Sequence, residues 1–290
     1  MAIESVDMTN KQVMVTGCTA GLGRAAAIAL AEMGATLSLV CRNRGKGEAL
    51  VEEIRRKTGR EDCDLYVGDM GSQSDIRAIA KAFIATERPL DVLFNNAGVV
   101  LQQRSETQDG FETTFGVNHL GYFLLTVLLM DRLKAAPAGR VVSTASDAYK
   151  FSGGRLNFDD LQSARKYTTF GAYGASKLAN ILFTRELARR VGDSNVTVNA
   201  FHPGMVGSDF AKNNGWIAQV AMTLIKPLAR SPLKGAESGI YLCTSPEVEG
   251  HTGGYYFDCA INETKSAARN DDDALRLWEV SEKLTGASLA

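Results

Sequence analysis

Short apolar segments alternate with longer amphipathic segments along most of this chain of 290 residues. Several of the apolar segments carry hydrophobic residues at consecutive positions, which is typical of β-strands covered on both faces of a sheet. The candidate strands are Gln12–Thr16, Thr36–Cys41, Asp64–Val67, Asp91–Asn95, Arg140–Ala145, Val196–Phe201 and Gly254–Phe257. The amphipathic segments predict helices, for example Leu22–Met33, Gly45–Lys57, Ser74–Ala85, Phe111–Leu133 and Ala172–Val191.

This alternation predicts an α/β fold, because strands joined by right-handed helical crossovers form a mostly parallel sheet. We expect a single Rossmann-type, doubly wound sheet of about seven strands, with helices on both faces. No linker or repeat divides residues 1–290, so one domain is expected. Residues 147–171 and 205–235 break the alternation. Long irregular segments in a compact domain are usually functional or disordered.

The composition narrows the classes of function. Lys plus Arg number 32 against 33 Asp plus Glu, so the chain lacks the basic footprint of a nucleic-acid-binding protein. Five cysteines without a CxxC pair, and three isolated histidines, argue against a disulfide framework and predict no metal site. The first residues do not resemble a signal peptide, and no stretch of eighteen uninterrupted apolar residues predicts a transmembrane span. A cytoplasmic location is therefore expected.

A glycine-rich turn follows the first candidate strand, with Gly17, Gly21 and Gly23 in the spacing GxxxGxG. Glycine permits a tight turn and leaves no Cβ to block a pyrophosphate, and the N-terminus of the following helix offers free N–H groups to negative charge. Taken alone, the turn could equally be a plain strand–helix connection.

The second candidate strand ends in Cys41-Arg42-Asn43. An acidic residue at this position would bind the adenosine ribose and favour NAD, but a cysteine does not. Arg42 could instead pair with the 2′-phosphate of NADP, with Arg44 and Lys46 close enough to assist. Arg42 could also be an ordinary surface charge.

Tyr173 and Lys177 are four residues apart and so share one face of a helix. An exposed pair without function is one interpretation. The other is a general acid–base, because an ammonium about 4 Å away could lower the pKa of the phenol from ~10 by up to about three units.

These motifs, in this order, resemble the short-chain dehydrogenase/reductase family. Thr16–Gly23 matches TGxxxGxG, Asn95-Asn96-Ala97-Gly98 follows the fourth strand, Asn118 lies on the next helix, Tyr173–Lys177 matches YxxxK, and Pro203-Gly204 follows the sixth strand. Within the family, the chain is most similar to the retinol-dehydrogenase-like branch and its WW-domain oxidoreductase relatives. The stretches that carry this similarity are Val117–Gly121, Phe158–Ser163, Ser176–Asn180 and Tyr256–Cys259.

The resemblance implies a role for each matching residue. Tyr173 would exchange the proton with the substrate oxygen, Lys177 would bind the nicotinamide ribose and lower the tyrosine pKa, and Asn118 would hold a relay water. The implied cofactor-binding residues are Gly17, Thr19, Ala20, Gly21, Leu22, Gly23, Arg42, Asn43, Asp69, Met70, Asn95, Ala97, Gly98, Tyr173, Lys177, Pro203, Gly204, Val206 and Ser208. The preferred cofactor would be NADP(H), with NAD(H) as the alternative.

The catalytic serine is assigned to Ser146, with Ser143 as the alternative. Ser143 falls three residues earlier, within the predicted strand, whereas ligands in such folds bind beyond the carboxyl ends of the strands. A hydroxyl at the strand end therefore suits Ser146 better.

The implied reaction interconverts an alcohol and a ketone or aldehyde of a small hydrophobic substrate. Residues 205–235, with the apolar stretch Trp216–Ile225, would form a substrate lid, and Phe151, Phe158 and Phe170 could wall the pocket. An interfacial membrane helix at 216–229 is the competing interpretation, although only Lys226 and Arg230 would anchor it. A carbon–carbon double-bond reductase and a non-catalytic NADP-binding regulator are the alternative functions. Homo-oligomerisation through the apolar helices remains open.

Overall fold

The computed structural model describes residues 6–206 and 229–289. Its strands are β1 (Gln12–Thr16), β2 (Thr36–Cys41), β3 (Cys63–Val67), β4 (Val92–Asn95), β5 (Gly139–Thr144), β6 (Val196–Phe201), β7 (Tyr255–Phe257) and β8 (Ala260–Ile261). The longer helices in the described ranges are α1 (Gly21–Glu32), α2 (Arg44–Thr58), α3 (Gln73–Ile84), α4 (Thr113–Lys134), α5 (Thr169–Val191), α6 (Pro232–Thr244) and α7 (Asp271–Thr285). The bounds of the strands and helices predicted above differ from these by three residues at most.

The strands form one sheet in the order β3-β2-β1-β4-β5-β6-β7-β8. All neighbouring pairs are parallel except β7 and β8. The predicted count of seven strands was one too low, because β8 is a two-residue antiparallel return that gives no periodic signal. The order reverses between β1 and β4, and in open α/β sheets ligands bind at the carboxyl edge beside such a reversal.

Alternate side chains of the central strands enter the two faces of the sheet. Val13 and Val15 pack with α1, α2 and α6, whereas Met14 between them packs with α3, α4 and α5 on the opposite face. Trp278 of α7 is fully buried against α5, where it stacks on Phe183. This burial on both faces explains why the central strands carry apolar residues at consecutive or nearly consecutive positions.

Helix α4 contains a π-helical turn at Gly116–Leu120, where the N–H of Gly121 donates to the carbonyl of Gly116. Such turns occur frequently at functional sites. By length and composition α4 could cross a membrane, and it is the one helix of the described ranges that passes this test. It is largely buried beneath the sheet, as is usual for a core helix.

Candidate active site

The glycine turn joins β1 to α1 at the carboxyl edge of the sheet. Gly17 (φ +67°) and Gly21 (φ +51°) adopt left-handed backbone conformations. A Cβ on Gly17 would lie 2.7 Å from the Cα of Ala97, and one on Gly23 would lie 2.4 Å from the carbonyl oxygen of Gly17. The turn therefore requires glycine, because backbone atoms fill the space that a side chain would need. The predicted residues Gly17, Thr19, Ala20, Gly21, Leu22 and Gly23 all belong to this turn or to the start of α1.

The N-terminus of α1 differs from the other helix starts near it. Its N-cap residue Ala20 provides no side-chain hydrogen bond, and the first turn carries no acidic residue. Helices α2, α3, α5, α6 and α7 are capped by the side chains of Asn43, Ser72, Thr168, Ser231 and Asn270. The first N–H groups of α1 are thus left for an anion, which fits the pyrophosphate of a nicotinamide dinucleotide.

Asn95, the last residue of β4, and Asn96, the next residue, make different contacts. Asn96 holds the glycine turn, because its Nδ2 donates to the carbonyl oxygen of Thr16 at 2.9 Å. The Thr16 hydroxyl in turn accepts from the backbone N–H groups of Asn96 and Ala97 at 2.9 and 3.0 Å. The side chain of Asn95 is fully buried and donates to Thr126 on α4 at 3.0 Å. Asn95 therefore packs inside the fold, and Asn96 is a site residue that the sequence assignment left out.

Arg42 extends from the end of β2 with 74% of its side chain exposed. It makes a long ion pair with Asp69, with 3.5 Å between Nη1 and Oδ2. Asp69 also accepts from the N–H of Gly71 at 2.8 Å, and Asn43 accepts from the N–H of Lys46 at 2.9 Å to cap α2. The predicted adenosine-side residues thus lie together at one rim, with Met70 buried beneath them.

The four predicted catalytic residues come from three neighbouring elements. Tyr173 and Lys177 lie on α5, Ser146 follows β5, and Asn118 occupies the π-helical turn of α4. The Lys177 Nζ donates to the carbonyl oxygen of Thr144 at 2.8 Å and lies 5.6 Å from the centre of the Tyr173 ring. The Ser146 hydroxyl contacts the Tyr173 phenol by a hydrogen bond. The structure therefore brings serine, tyrosine and lysine together.

Asn118 is held by Val99 and α5. Its Oδ1 accepts from the N–H of Val99 at 2.8 Å, and its Nδ2 donates to the carbonyl oxygen of Val99 at 3.0 Å. The same Nδ2 donates to the Ser176 hydroxyl at 3.0 Å, which donates to the carbonyl oxygen of Tyr173 at 2.7 Å. Asn118 thereby ties the loop after β4 to the backbone of the catalytic helix.

Burial controls the ionisation of the catalytic pair. It raises the pKa of Tyr173 to about 12, against a smaller lowering by the Ser146 hydroxyl, and it lowers the pKa of Lys177 to about 7. The expectation that Lys177 depresses the tyrosine pKa is thus not met by these residues alone, because burial penalises the charged form of both groups. At neutral pH the phenol is protonated, the form that donates a proton to a carbonyl oxygen.

The two serine candidates occupy different environments. Ser143 lies within β5 beside Asn95 of β4 and is fully buried, and its hydroxyl has no hydrogen-bond partner among the described residues. Ser146 lies past the strand end, where its hydroxyl accepts from the N–H of Ala148 at 3.1 Å and contacts Tyr173. The geometry favours Ser146 over Ser143.

The segment after β6 begins at His202. Pro203 and Gly204 follow, and Gly204 (φ +76°) packs so tightly that a Cβ there would lie 2.7 Å from the Cδ of Arg230. Val206 forms a β-bridge with Arg230, which closes the base of the segment. Ser208 and most of the predicted lid at 205–235, including Trp216–Ile225, lie outside the described residues.

Thr144 and Tyr122, which the sequence did not single out, both lie next to Lys177. The carbonyl oxygen of Thr144 accepts hydrogen bonds from Lys177 and from Asn180, and the centre of the Tyr122 ring lies 5.9 Å from the Lys177 Nζ. Neither residue belongs to a motif with a recognisable spacing. Only the tertiary structure, which stacks α4 and α5 beneath the end of β5, reveals their role.

Comparisons with known proteins agree with this architecture. The family model described as short chain dehydrogenase matches residues 11–216. Retinol dehydrogenase 12 of Mus musculus is 42% identical over 97% of this chain and 88% of its own length, and retinol dehydrogenase 14 of Homo sapiens is 41% identical over 96% and 87%.

Solved structures share the fold. An uncharacterized protein from Mycobacterium paratuberculosis superposes with a TM-score of 0.80 at 30% identity, covering 98% of this chain and 97% of that one. A structure reported as a short chain dehydrogenase from Escherichia coli CFT073 complexed with NADPH has a TM-score of 0.68 at 23% identity, covering 87% and 98%.

Proposed function

Because the chain belongs to the short chain dehydrogenase family, in its retinol-dehydrogenase-like branch, we propose that it interconverts a hydrophobic alcohol and the corresponding ketone or aldehyde with NADP(H) as preferred cofactor. The observation that carries the proposal is the convergence of Ser146, Tyr173 and Lys177 at the sheet edge that also holds the uncapped start of α1. A cofactor anchored on α1 would present its nicotinamide end to these side chains.

Each catalytic side chain has a distinct task in this proposal. The nicotinamide, when bound, supplies or accepts the hydride. The protonated Tyr173 gives its proton to the carbonyl oxygen during reduction, while the Ser146 hydroxyl orients that oxygen. Lys177 would hold the nicotinamide ribose hydroxyls. Asn118 positions α5 through Ser176 and would bind a relay water.

The preference for NADP(H) is proposed from the rim of β2. No carboxylate ends this strand, and among the described residues a long ion pair with Asp69 is all that competes with a phosphate for the exposed Arg42. A guanidinium suits a 2′-phosphate because it donates several hydrogen bonds in one plane. The E. coli protein of the same fold is complexed with NADPH, so the fold accommodates this dinucleotide. NAD(H) is the alternative cofactor.

The hydrophobic substrate class rests on the surface near Tyr173. Phe170 lies one turn before Tyr173 on α5, and its ring is 6.0 Å from that of Phe151. Both rings are largely exposed, as is Met205 after β6. Exposed apolar side chains beside a polar site indicate a binding surface for an apolar molecule. A retinoid is the first substrate to assay, because the curated relatives at about 40% identity are retinol dehydrogenases.

Substitution of Tyr173 tests the reaction. We expect Tyr173→Phe to lower kcat by about 10²- to 10⁴-fold, the usual contribution of a general acid–base. Tyr167→Phe is the control, because the Tyr167 hydroxyl donates to the carbonyl oxygen of Leu101 at 2.8 Å, outside the group formed by Ser146, Tyr173 and Lys177. Near-normal turnover by Tyr173→Phe would contradict the proposal. Product analysis would distinguish carbonyl reduction from reduction of a carbon–carbon double bond.

A binding titration of NADPH against NADH tests the cofactor. NADPH should bind about tenfold or more tightly, equivalent to roughly 1.4 kcal/mol. Equal or tighter binding of NADH would reject the role of Arg42, and binding of neither would reject the enzyme itself.

A further inference from the structure

The imidazole of His202 connects the two loops that flank the reaction centre. Its Nδ1 accepts hydrogen bonds from the backbone N–H of Asp147 and from the backbone N–H of Gly204, each at 3.3 Å. Asp147 directly follows Ser146, and Gly204 lies in the segment that leads to Val206. One acceptor atom thus joins the loop after β5 to the loop after β6.

The ring is held in place by its surroundings. It stacks on Phe257 of β7, with 5.0 Å between ring centres and an interplanar angle of 23°. The Arg230 guanidinium lies 4.7 Å from the centre of the same Phe257 ring and forms an ion pair with Asp258. The backbone N–H of His202 donates to the carbonyl oxygen of Tyr256 at 2.8 Å. These contacts therefore hold the neutral imidazole ring in the position where its Nδ1 meets both donors.

The arrangement requires a defined protonation state. An imidazole nitrogen accepts a hydrogen bond only when it carries no proton, so His202 must be neutral with its proton on Nε2. Burial, the largest influence, lowers the pKa of His202 below its usual value. The ring is consequently an acceptor at neutral pH.

We propose that His202 is a positioning residue that fixes Ser146 relative to the nicotinamide-binding loop at Gly204 and releases both when it is protonated. The proposal rests on the function proposed above, since it concerns the same site. Ser146 holds the substrate oxygen and the loop after β6 holds the nicotinamide, so their spacing determines how well the hydride donor meets the carbonyl carbon. A small displacement of either loop would lower kcat more than cofactor affinity, because the glycine turn and the rim at Arg42, which would hold the rest of the dinucleotide, are not part of these loops.

The charges around the imidazole set where it titrates. Asp147 and Asp258 raise its pKa, whereas Lys150 and Arg230 lower it. Asp147 is itself engaged, because its carboxylate accepts from Lys150 at 2.6 Å and from the Tyr255 hydroxyl at 3.2 Å. A protonated His202 would present an N–H to two backbone N–H groups, and both hydrogen bonds would be lost. Activity should therefore fall as the pH drops through the pKa of His202, below about 6.5.

Two substitutions test the acceptor nitrogen of His202 separately from its aromatic ring. In His202→Asn the amide oxygen replaces Nδ1 at the same distance from the backbone, and the residue no longer titrates. His202→Phe keeps the stacked ring but has no acceptor. We expect kcat of His202→Phe to fall about tenfold, equivalent to about 1.4 kcal/mol for two weak hydrogen bonds, with NADPH affinity changed much less. His202→Asn should keep most of the activity and lose the acidic decline of kcat that the native enzyme shows. His251→Asn, at an exposed histidine, is the control and should match the native enzyme.

Hydrogen exchange of the Asp147 and Gly204 amides provides a readout that needs no turnover. Both amides should be protected in the native protein at neutral pH, lose protection in acid, stay protected in His202→Asn at both pH values, and be unprotected in His202→Phe. Unprotected amides in the native protein, or an unchanged acidic decline in His202→Asn, would overturn the proposal. If Tyr173→Phe retained turnover while the exchange pattern held, the proposed chemistry would fail and the loop connection would stand.

Discussion

The two halves of the sheet edge are built to bind their proposed ligands by different physical means. Around β1 and β2, recognition would rely on the backbone: glycines leave room, the uncapped α1 offers N–H groups, and Arg42, the candidate partner of the 2′-phosphate, is 74% exposed. Around β5 and α5, the work falls to buried side chains, since Lys177 is only 2% exposed and burial shifts the pKa of both Lys177 and Tyr173. Ligand binding in the first half would depend on the shape of the backbone, and the chemistry of the second half on the burial of charged groups. Substitutions in the two halves should therefore change different measured quantities.

The sharpest test within the catalytic half compares its two serines. Ser146→Ala should lower kcat by about 10²- to 10³-fold, as removal of a single donor to a reacting oxygen commonly does. Ser143→Ala should have little effect, because the Ser143 hydroxyl is fully buried within β5 and has no hydrogen-bond partner among the described residues. Steady-state kinetics with both variants decides the matter. A larger loss of kcat in Ser143→Ala than in Ser146→Ala would identify Ser143 as the catalytic serine and overturn the assignment of Ser146.

In the cofactor half, the largest effect should come from loss of space. Gly23→Ala would place a Cβ 2.4 Å from the Gly17 carbonyl oxygen and 2.3 Å from the Asn96 Nδ2. Displacement of the turn should weaken NADPH binding by about 100-fold, roughly 2.7 kcal/mol. Gly45→Ala is the control, because its Cβ would meet only the Asn43 Oδ1 at 3.7 Å. Unchanged NADPH affinity in Gly23→Ala would show that the glycine turn does not bind the cofactor.

The buried lysine predicts a pH dependence of stability. Lys177 has a pKa of about 7 in the folded protein, against roughly 10.4 when unfolded. Between these values the unfolded chain binds more protons, so the free energy of unfolding should rise with pH, by about 2 kcal/mol from pH 7 to pH 9. Lys177→Met should remove this rise, whereas Lys81→Met, at an exposed site, should retain it. Chemical denaturation of the cofactor-free protein at both pH values is the measurement. Identical slopes in native protein and Lys177→Met would contradict the proposed desolvation.

The smallest effect should come from the exposed charge. Arg42→Ala should weaken NADPH binding by about tenfold, roughly 1.4 kcal/mol, and leave NADH binding nearly unchanged. Rising salt should shrink this difference, because an exposed ion pair is screened. Arg56→Ala, at the opposite end of α2, is the control. Equal losses of affinity for NADPH and NADH would mean that Arg42 contacts a part of the adenosine that both cofactors share, and not the 2′-phosphate.

The sequence predicted most of the fold because its central strands are buried on both faces. Strands such as β2 and β6 are mostly apolar and nearly fully buried, and their bounds were predicted without error. The strand β8 was missed, because two exposed residues carry no periodicity.

The site was predictable where chemistry depends on spacing along one element. Tyr173 and Lys177 share a helix face, and the glycine turn is contiguous, so both were visible in the sequence. Contacts made across elements were not visible: Asn95 and Asn96 are neighbours, yet only Asn96 reaches the glycine turn, since successive side chains leave the strand end in different directions. The same limit concealed His202, whose two partners lie on separate loops.

If the cofactor binds at the uncapped start of α1 as proposed, the lifetime of the enzyme would also depend on the supply of that cofactor. A dinucleotide that satisfies these N–H groups binds the folded chain and not the unfolded one, so it stabilises the fold by about 2.7 kcal/mol at a concentration one hundred times its Kd. Depletion of the dinucleotide would then raise the unfolded population by about 100-fold and expose the chain to proteolysis. In this respect the dinucleotide would replace the side-chain cap that Ala20 does not provide. The abundance of the enzyme would then follow the abundance of the cofactor.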